Sequence, residues 1–131
     1  MTVRLRPNLR FHNLPPVNGR AMDLEDINYT WNRFTSVSAN RNLLAHSVNP
    51  SAPILSVTTP SEHTVVFKFN EPLVYVENFL GHRGLLNLIP RESEGLDMRG
   101  QMLGSGPYLL SRYDSSVALF FKRHDIYWES T

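Results

Sequence analysis

The sequence predicts an α+β domain with a mostly antiparallel sheet and two or three helices. The first supporting observation is a helical pattern with a clear start near residue 24. The second is the order of the elements, since strands, helix, hairpin, helix and hairpin follow one another along the chain. The third is the length of 131 residues, which suits a single domain spanning residues 1–131 whose core needs neither metal nor disulfide.

The main helix is predicted from about residue 24 to residue 35. Asp23 is a suitable N-cap, because its carboxylate can accept a hydrogen bond from a backbone N–H that has no partner inside the helix. Glu25 and Asp26 add negative charge to the first turn, where the helix dipole favours it. The residues of its apolar face recur at helical spacing, and they are Leu24, Ile27, Trp31 and Phe34.

Short alternations of apolar and polar residues predict the strands. These cover residues 2–6, 9–12, 54–58, 64–69, 108–113 and 117–122. A turn over residues 60–63 joins the third and fourth strands into an antiparallel hairpin, and Asp114-Ser115-Ser116 joins the last two. Gly104 and Gly106 are expected to form a tight turn that requires positive φ before the second hairpin.

Two further helical segments have weaker patterns. One is expected to open at Glu71-Pro72, with Pro72 in its first turn and Gly81 near its end. Its apolar stripe consists of Leu73, Val76 and Leu80. Residues 35–53 are predicted to form a polar loop with one short helix around residues 41–46. A loop of this length in a compact domain is often functional.

Composition excludes several classes of function. Apolar residues make up 41% and charged residues 19% of the chain, as in an ordinary soluble globular protein. The formal net charge of +1 gives no basis for binding nucleic acid or an anionic membrane surface. The absence of cysteine excludes disulfides, cysteine nucleophiles and thiolate metal sites. No apolar run approaches the roughly 20 residues of a membrane span, and no cofactor is predicted.

Candidate catalytic and metal-binding residues have simpler explanations. The five histidines, at positions 12, 46, 63, 82 and 124, lack the H-x-x-x-H and H-x-H spacings, so we predict surface histidines. A metal site assembled from distant residues stays open. Glu25 and Asp26 point about 100° apart on a helix, which does not suit an acid–base pair. The Gly104-Ser105-Gly106 loop lacks the lysine of a P-loop. We therefore predict no catalytic or metal-binding residue and leave the ligand-binding residues unassigned.

Six aromatic residues close to the end of the chain are expected to lie mostly in the core, with a ligand-stacking surface as the alternative. They are Tyr108, Tyr113, Phe120, Phe121, Tyr127 and Trp128. Composition and periodicity alone therefore indicate a soluble α+β domain without an evident catalytic apparatus.

Several local motifs, in a fixed order, carry a resemblance to a known family. Leu9-Arg10-Phe11-His12-Asn13 is similar to a lysine/arginine-phenylalanine-histidine-aspartate-glycine turn, with Asn13 in place of the aspartate. Asp23-Leu24-Glu25-Asp26-Ile27 is similar to threonine-alanine-glutamate-aspartate-valine at a helix start. Pro60-Ser61-Glu62-His63-Thr64-Val65 is similar to a proline-aspartate-x-x-threonine-valine hairpin. Gly104-Ser105-Gly106-Pro107-Tyr108 is similar to glycine-threonine-glycine-proline-tyrosine. Arg123-His124-Asp125-Ile126-Tyr127-Trp128 is similar to arginine-asparagine-x-x-tyrosine-tryptophan.

Together these motifs resemble the extracellular solute-binding proteins of family five, the peptide- and nickel-binding components of ABC importers. The resemblance runs from about residue 2 to residue 128. Family members are several times longer, and their two lobes close over a ligand. The resemblance therefore implies that residues 1–131 are a truncated fragment, a subdomain in the first lobe of a two-lobed periplasmic-binding-protein type II fold.

The implied function is capture of extracellular oligopeptides or related solutes for uptake, by a structural subdomain without catalysis. The implied partners are a peptide or small solute and the ABC permease subunits of the full-length protein. The implied location is periplasmic or extracellular, with membrane association through the transporter or a lipid anchor. Ligand-fixing groups are expected mostly in the other lobe, and residues 35–47 are the part expected to approach the ligand cleft.

Two alternatives of other classes are weighed against this interpretation. In the first alternative the chain is a free-standing protein-interaction module, which binds a partner through a sheet edge or residues 35–53. In the second it is a small hydrolase with a composite site. The hydrolase is disfavoured because no nucleophile–base pair is readable in the sequence. Exposed sheet edges would also allow a homodimer of the fragment.

Overall fold

The structure is a computed structural model, and it describes residues 1–97 and 100–129. The chain forms two compact units. Unit 1 comprises Met1–Leu5 and Asp23–Leu88, and unit 2 comprises Arg6–Met22 and Ile89–Thr131. Each unit has its own cluster of buried apolar side chains. The single-domain interpretation of residues 1–131 stays a prediction.

Unit 1 is built on an antiparallel sheet of three strands in the order β1-β3-β2. The strands are β1 (Thr2–Arg4), β2 (Ile54–Ser61) and β3 (Thr64–Phe69). Val3 lies opposite Val65, and Val57 lies opposite Phe67. Because residues directly opposite each other in an antiparallel ladder point to the same side, these four side chains share one face of the sheet.

The main helix, α1 (Leu24–Val37), begins where the sequence predicts and ends two residues later than expected. Asp23 Oδ1 accepts hydrogen bonds from the backbone N–H groups of Glu25 (3.0 Å) and Asp26 (3.2 Å). Asp26 Oδ2 in turn accepts the backbone N–H of Asp23 at 3.1 Å. The predicted N-cap is therefore confirmed, and it forms a reciprocal capping box that satisfies donors of the first turn.

The apolar face of α1 contributes to the core of unit 1, as predicted. Ile27 and Phe34 are buried, and Leu24 and Trp31 are partly buried against the same cluster. The other buried members are Leu44, Ile54, Val65 and Phe67. Leu44 ends a short helix, α2 (Arg41–Leu44), which confirms the predicted helical turn inside the segment after α1.

Further boundaries in unit 1 differ from the sequence prediction, and the first is that β1 ends at Arg4, two residues earlier than expected. Strand β2 continues through Pro60 to Ser61, so the turn is shorter than predicted. Pro60 is tolerated because β2 lies at the edge of its sheet, where a missing N–H costs no ladder bond. Helix α3 (Val76–Gly81) begins four residues after Pro72, which is therefore not in its first turn, and Leu73 lies outside it. The helix has no side-chain cap and no buried residue to fix an earlier start.

Unit 2 is built on an antiparallel hairpin of β4 (Tyr108–Asp114) and β5 (Ala118–Arg123). A single turn of 3₁₀-helix lies at Arg91–Ser93. The apolar cluster of unit 2 is formed by Phe11, Val17, Met22 and Leu103. The predicted strand over residues 9–12 is wrong, because this segment makes only an isolated bridge between Arg10 and Ala21. Its backbone is bonded to separate partners, among them Arg20 O and Gly104 O, and no single strand lies beside it.

The described residues thus form an α+β structure with antiparallel sheets and three α-helices, as the sequence predicts. None of the helices within residues 1–97 and 100–129 is long and apolar enough to span a membrane.

We expect the substitution Asp23→Ala to lower the free energy of unfolding by about 1 kcal/mol, because it removes the acceptor of the capping box. Asp23→Ser is the matched control, since serine caps as well as aspartate and should retain most of that stability. Urea unfolding monitored by circular dichroism measures both. Equal losses in the two variants would contradict a capping role.

Candidate functional site

The motif residues of unit 2 converge on one backbone carbonyl. His12 Nε2 lies 3.1 Å and His124 Nδ1 lies 3.0 Å from the oxygen of Gly106. The backbone N–H of His12 donates to Gly104 O at 2.7 Å, and that of His124 donates to Pro107 O at 2.8 Å. These five residues, which we call the Gly106 node, connect three segments that are distant in sequence.

The two rings of the Gly106 node are buried and in direct contact. His12 is 5% exposed and His124 is 2% exposed, and their ring centroids are 4.9 Å apart in an edge-to-face arrangement. A carbonyl oxygen only accepts hydrogen bonds, so we assign a proton to each ring nitrogen that faces Gly106 O. His124 Nε2 is then a buried acceptor without a partner among the described residues. Such an atom costs stability unless packing compensates for it.

The Gly106 node corrects two sequence predictions. The expectation of surface histidines is wrong for His12 and His124, although His63 and His82 are exposed. The expectation of positive φ at Gly104 and Gly106 is also wrong, because among the described residues the glycines with positive φ are Gly19 and Gly95. A Cβ atom on Gly104 would lie 3.6 Å from the His12 ring, which is an ordinary contact, and one on Gly106 would meet nothing within 4 Å.

These corrections have a common physical reason. The loop is shaped by hydrogen bonds from side chains that lie far away in the sequence, whereas periodicity reports only on local structure. The signal that did point to this site was the motif resemblance, since residues 9–13, 104–108 and 123–128 each contribute to it.

The predicted burial of the aromatic residues is wrong for most of them. Tyr108 is 63%, Tyr113 50% and Phe121 52% exposed. Phe120 and Trp128 are also exposed, and each lies 4.1 Å from an arginine guanidinium, of Arg112 and Arg6 respectively. The register places Tyr108, Leu110, Tyr113, Leu119 and Phe121 on one face of the hairpin. Apart from Leu110, this face is largely uncovered by the described residues of unit 2.

An open groove of about 390 Å³ in unit 2 carries charges of both signs. Asn13, Lys122, Arg123 and Asp125 are among the polar residues that line it. An amide, two cations and a carboxylate around one groove suit the charged and polar ends of a small zwitterion. The sequence did not single out this set, because its members come from two segments about 110 residues apart.

An ion pair stabilises the loop beside the apolar cluster of unit 2. Arg20 Nε and Nη2 donate to Glu92 Oε1 and Oε2, both at 2.6 Å, and the Arg20 guanidinium lies 5.1 Å from the Phe11 ring centroid. The hydrogen bonds from Arg20 hold the pKa of the Glu92 carboxyl below its ordinary value. A bidentate pair of this kind fixes the orientation of the guanidinium relative to the carboxylate and adds the attraction between their charges.

The remaining residues that the sequence analysis considered as candidates for a functional site are Glu25, Asp26 and the segment 35–47. Asp26 is fully buried in the capping box, which leaves no open acid–base pair with Glu25. The segment 35–47 includes the end of α1 and all of α2, and it is anchored by Leu44 and Ala45, which are fully buried. Its expected approach to a ligand cleft stays a prediction. Within residues 1–97 and 100–129, no group of three or more His, Cys, Asp or Glu residues is placed to hold a metal ion.

Three solved structures of bacterial binding proteins are similar to this chain. PBP AgaA in complex with agropinic acid, from A. tumefacien R10, superposes with a TM-score of 0.76 and 20% identity, over 98% of this chain and 25% of that protein. The dipeptide binding protein from Pseudoalteromonas sp. SM9913, in complex with Met-Leu, superposes with a TM-score of 0.70 and 20% identity, over 98% of this chain and 28% of that protein. The periplasmic binding protein DppA from Helicobacter pylori, in complex with peptide STSA, superposes with a TM-score of 0.74 and 17% identity, over 97% of this chain and 28% of that protein.

These likenesses define the fold as that of a subdomain of periplasmic binding proteins, and the chain spans about a quarter of the length of each. The sequence itself matches the bacterial extracellular solute-binding proteins, family 5 (Middle), over residues 1–131. The chain therefore belongs to that family, which confirms the resemblance. No curated protein matches the chain significantly.

We expect His12→Asn to lower the free energy of unfolding by about 2 kcal/mol, because it removes a buried ring and the hydrogen bonds it makes. His63→Asn is the matched control, since His63 is exposed and has a φ of 59°, which asparagine tolerates. Urea denaturation measures both. A loss in the control as large as that in His12→Asn would contradict a structural role specific to the Gly106 node.

The Arg20–Glu92 pair predicts a pH-dependent contribution to stability. A carboxyl whose pKa is lowered on folding stabilises the native state above its ordinary pKa, and this contribution is lost as the pH falls through the lowered value. Glu92→Gln should therefore cost about 0.5–1 kcal/mol at pH 7, and this cost should fall towards zero as the pH falls through the lowered pKa of the Glu92 carboxyl. Glu94→Gln, at an exposed neighbour, is the control. A pH-independent cost at Glu92 would exclude the ionic explanation.

Proposed function

We propose that the chain is a structural subdomain of the substrate-binding component of an ABC importer, which captures extracellular oligopeptides or related solutes. The observation that carries the proposal is the family match over residues 1–131 together with a fold that corresponds to about a quarter of longer binding proteins. Two of these proteins are in complex with peptides by their own descriptions, which favours peptides as the solute class.

The proposal assigns no catalysis to this chain. The motif residues that the structure describes are used for internal hydrogen bonds, at the Gly106 node and at the capping box of α1. Binding proteins of this kind act by closing two lobes over a ligand and then delivering it, which requires shape and hydrogen bonds and no nucleophile. Support of the ligand cleft is therefore the proposed role of both units.

The proposal extends to the full-length protein. Its partners are a peptide or small solute and the permease subunits of the importer. Its place is the periplasm or the extracellular side, with membrane association through the transporter or a lipid anchor. Residues 35–47 are the proposed approach to the cleft, because exposed side chains such as Leu43 and Val48 lie on or beside a segment that Leu44 anchors.

Self-association of this chain is part of the same proposal. Strands β1 and β2 are the outer strands of one sheet, and β4 and β5 each have one partner strand among the described residues. An open edge presents unpaired N–H and C=O groups that a second copy can extend. The alternative of a free-standing interaction module has no support in the comparisons.

Thermal unfolding with added peptides tests the proposed role. We expect di- to tetrapeptides at millimolar concentration to leave the midpoint of this chain unchanged. The longer polypeptide encoded by the same gene should gain about 2.7 kcal/mol of stability at a hundredfold excess over Kd. A gene that encodes only this chain, or peptide binding by this chain alone, would overturn the proposal. In the second case, the polar groove of unit 2 and residues 35–47 are the places to mutate.

A further inference from the structure

The loop that follows His12 in unit 2 contains the pair Asn18-Gly19, and every other asparagine of the chain is followed by a residue with a side chain. Asparagine is chemically labile, because a backbone nitrogen can attack its carboxamide. Glycine as the next residue leaves that nitrogen sterically accessible and the local backbone free to rotate. Asn18 is also exposed to solvent. Asn18 is therefore the asparagine of this chain that is most prone to deamidation.

Deamidation at this pair is a cyclisation followed by a hydrolysis. The backbone nitrogen of Gly19 gives up its proton to solvent and attacks the Cγ atom of Asn18, so that a new C–N bond closes a succinimide ring. The bond from Cγ to Nδ2 breaks, and this nitrogen takes a proton from water and leaves as ammonia. Water then opens the ring at either carbonyl carbon and gives aspartate or isoaspartate. The net change consumes one water and releases one ammonia.

The folded loop holds both reacting nitrogen atoms in hydrogen bonds. The N–H of Gly19 donates to His12 O at 3.2 Å. The side-chain nitrogen of Asn18 donates to Pro16 O at 3.1 Å. The carbonyl of Gly19 accepts a hydrogen bond from Arg10 Nη1 at 3.0 Å, which holds the other side of the same residue. Ring closure therefore requires the nucleophile and the carboxamide to leave their partners.

The backbone at Gly19 is also closely surrounded. Gly19 is buried, and a Cβ atom on it would lie 3.4 Å from Ile126 Cδ1 and 3.5 Å from Asn13 Cβ. Asn18 has a φ of 48°, in the left-handed region that asparagine tolerates. Backbone rotation at this pair displaces neighbouring atoms, so the reacting geometry requires a local opening of the loop.

We propose that Asn18 is a deamidation site that the folded loop protects, and that its modification proceeds through the opened loop. An isoaspartate adds a methylene group to the main chain before Gly19, which shifts the N–H and C=O of Gly19 relative to His12 O and Arg10. The loop then cannot regain both hydrogen bonds, so the modification is a permanent record of opening. This inference is independent of the proposed transport role.

Peptide mapping measures the reaction on the whole chain. Trypsin cleaves after Arg10 and Arg20 and so releases residues 11–20. This peptide contains Asn18 together with Asn13, which precedes a leucine and serves as an internal reference. Fragmentation in the mass spectrometer assigns the replacement of NH2 by OH to one of the two positions, and chromatography separates aspartate from isoaspartate.

The native chain and the chain unfolded in guanidinium chloride are incubated side by side at mildly alkaline pH. We expect modification of Asn18 to be at least about tenfold slower in the native chain, because only the opened fraction reacts. Asn13 should stay unmodified in both samples.

A variant with a weakened Gly106 node provides the matched comparison. The node fixes His12, whose carbonyl oxygen holds Gly19, so His12→Asn should speed native deamidation of Asn18 about tenfold. His63→Asn, at an exposed position of unit 1, should react like the parent. Neither variant places a new asparagine before glycine, and both should match the parent in guanidinium chloride. If His12→Asn does not fold, the native and unfolded parent samples decide the question by themselves.

The proposal fails on any of three results. Equal rates at Asn18 in the native and unfolded parent would show that the loop gives no protection. Modification of Asn13 as fast as that of Asn18 in the unfolded chain would show that the following glycine has no effect. A folded His12→Asn chain that keeps the native rate of the parent would show that the reaction does not proceed through an opening of this loop. None of these results involves a peptide ligand.

Discussion

Burial of one face of α1 against one face of a three-stranded sheet is the interaction on which unit 1 depends. Ile27 and Phe34 from the helix meet Val65 and Phe67 from β3 in a single cluster. The capping box at Asp23 fixes where the helix begins, and the helical spacing of its apolar residues sets which of them face the sheet. The remaining parts of the unit add to this contact. An open apolar groove lies beside this contact, and Leu80, Leu86 and Leu88 line it together with residues of the sheet and the helix.

Unit 2 depends on a different kind of interaction. Its segments are short and irregular apart from the hairpin, and its apolar cluster has four buried members. Buried imidazoles bonded to a shared carbonyl compensate for this, since they tie residues 9–13, 104–108 and 123–128 together at fixed geometry. Charge-assisted bonds between Arg20 and Glu92 act in the same way at the 3₁₀ turn. The family motifs that looked like local turns are therefore long-range contacts.

The exposed aromatic face of the hairpin is consistent with the family to which the chain belongs. The binding proteins with this fold that are named above are about four times as long as this chain. Large exposed apolar faces usually mark surfaces that another layer covers. A hairpin of two strands cannot bury both of its faces by itself.

The sequence by itself determined the elements that follow from local periodicity and capping. These include α1 and its apolar stripe, strand β3, the second hairpin and the antiparallel α+β class, because each of these depends on neighbours within a few residues. Motif order also determined the family. Only the tertiary structure decided that His12 and His124 are buried together, that the hairpin aromatics are exposed and that residues 9–12 are not a strand. These three features depend on which distant segment of the chain lies beside a residue. A local pattern in a single sequence carries no information about that segment.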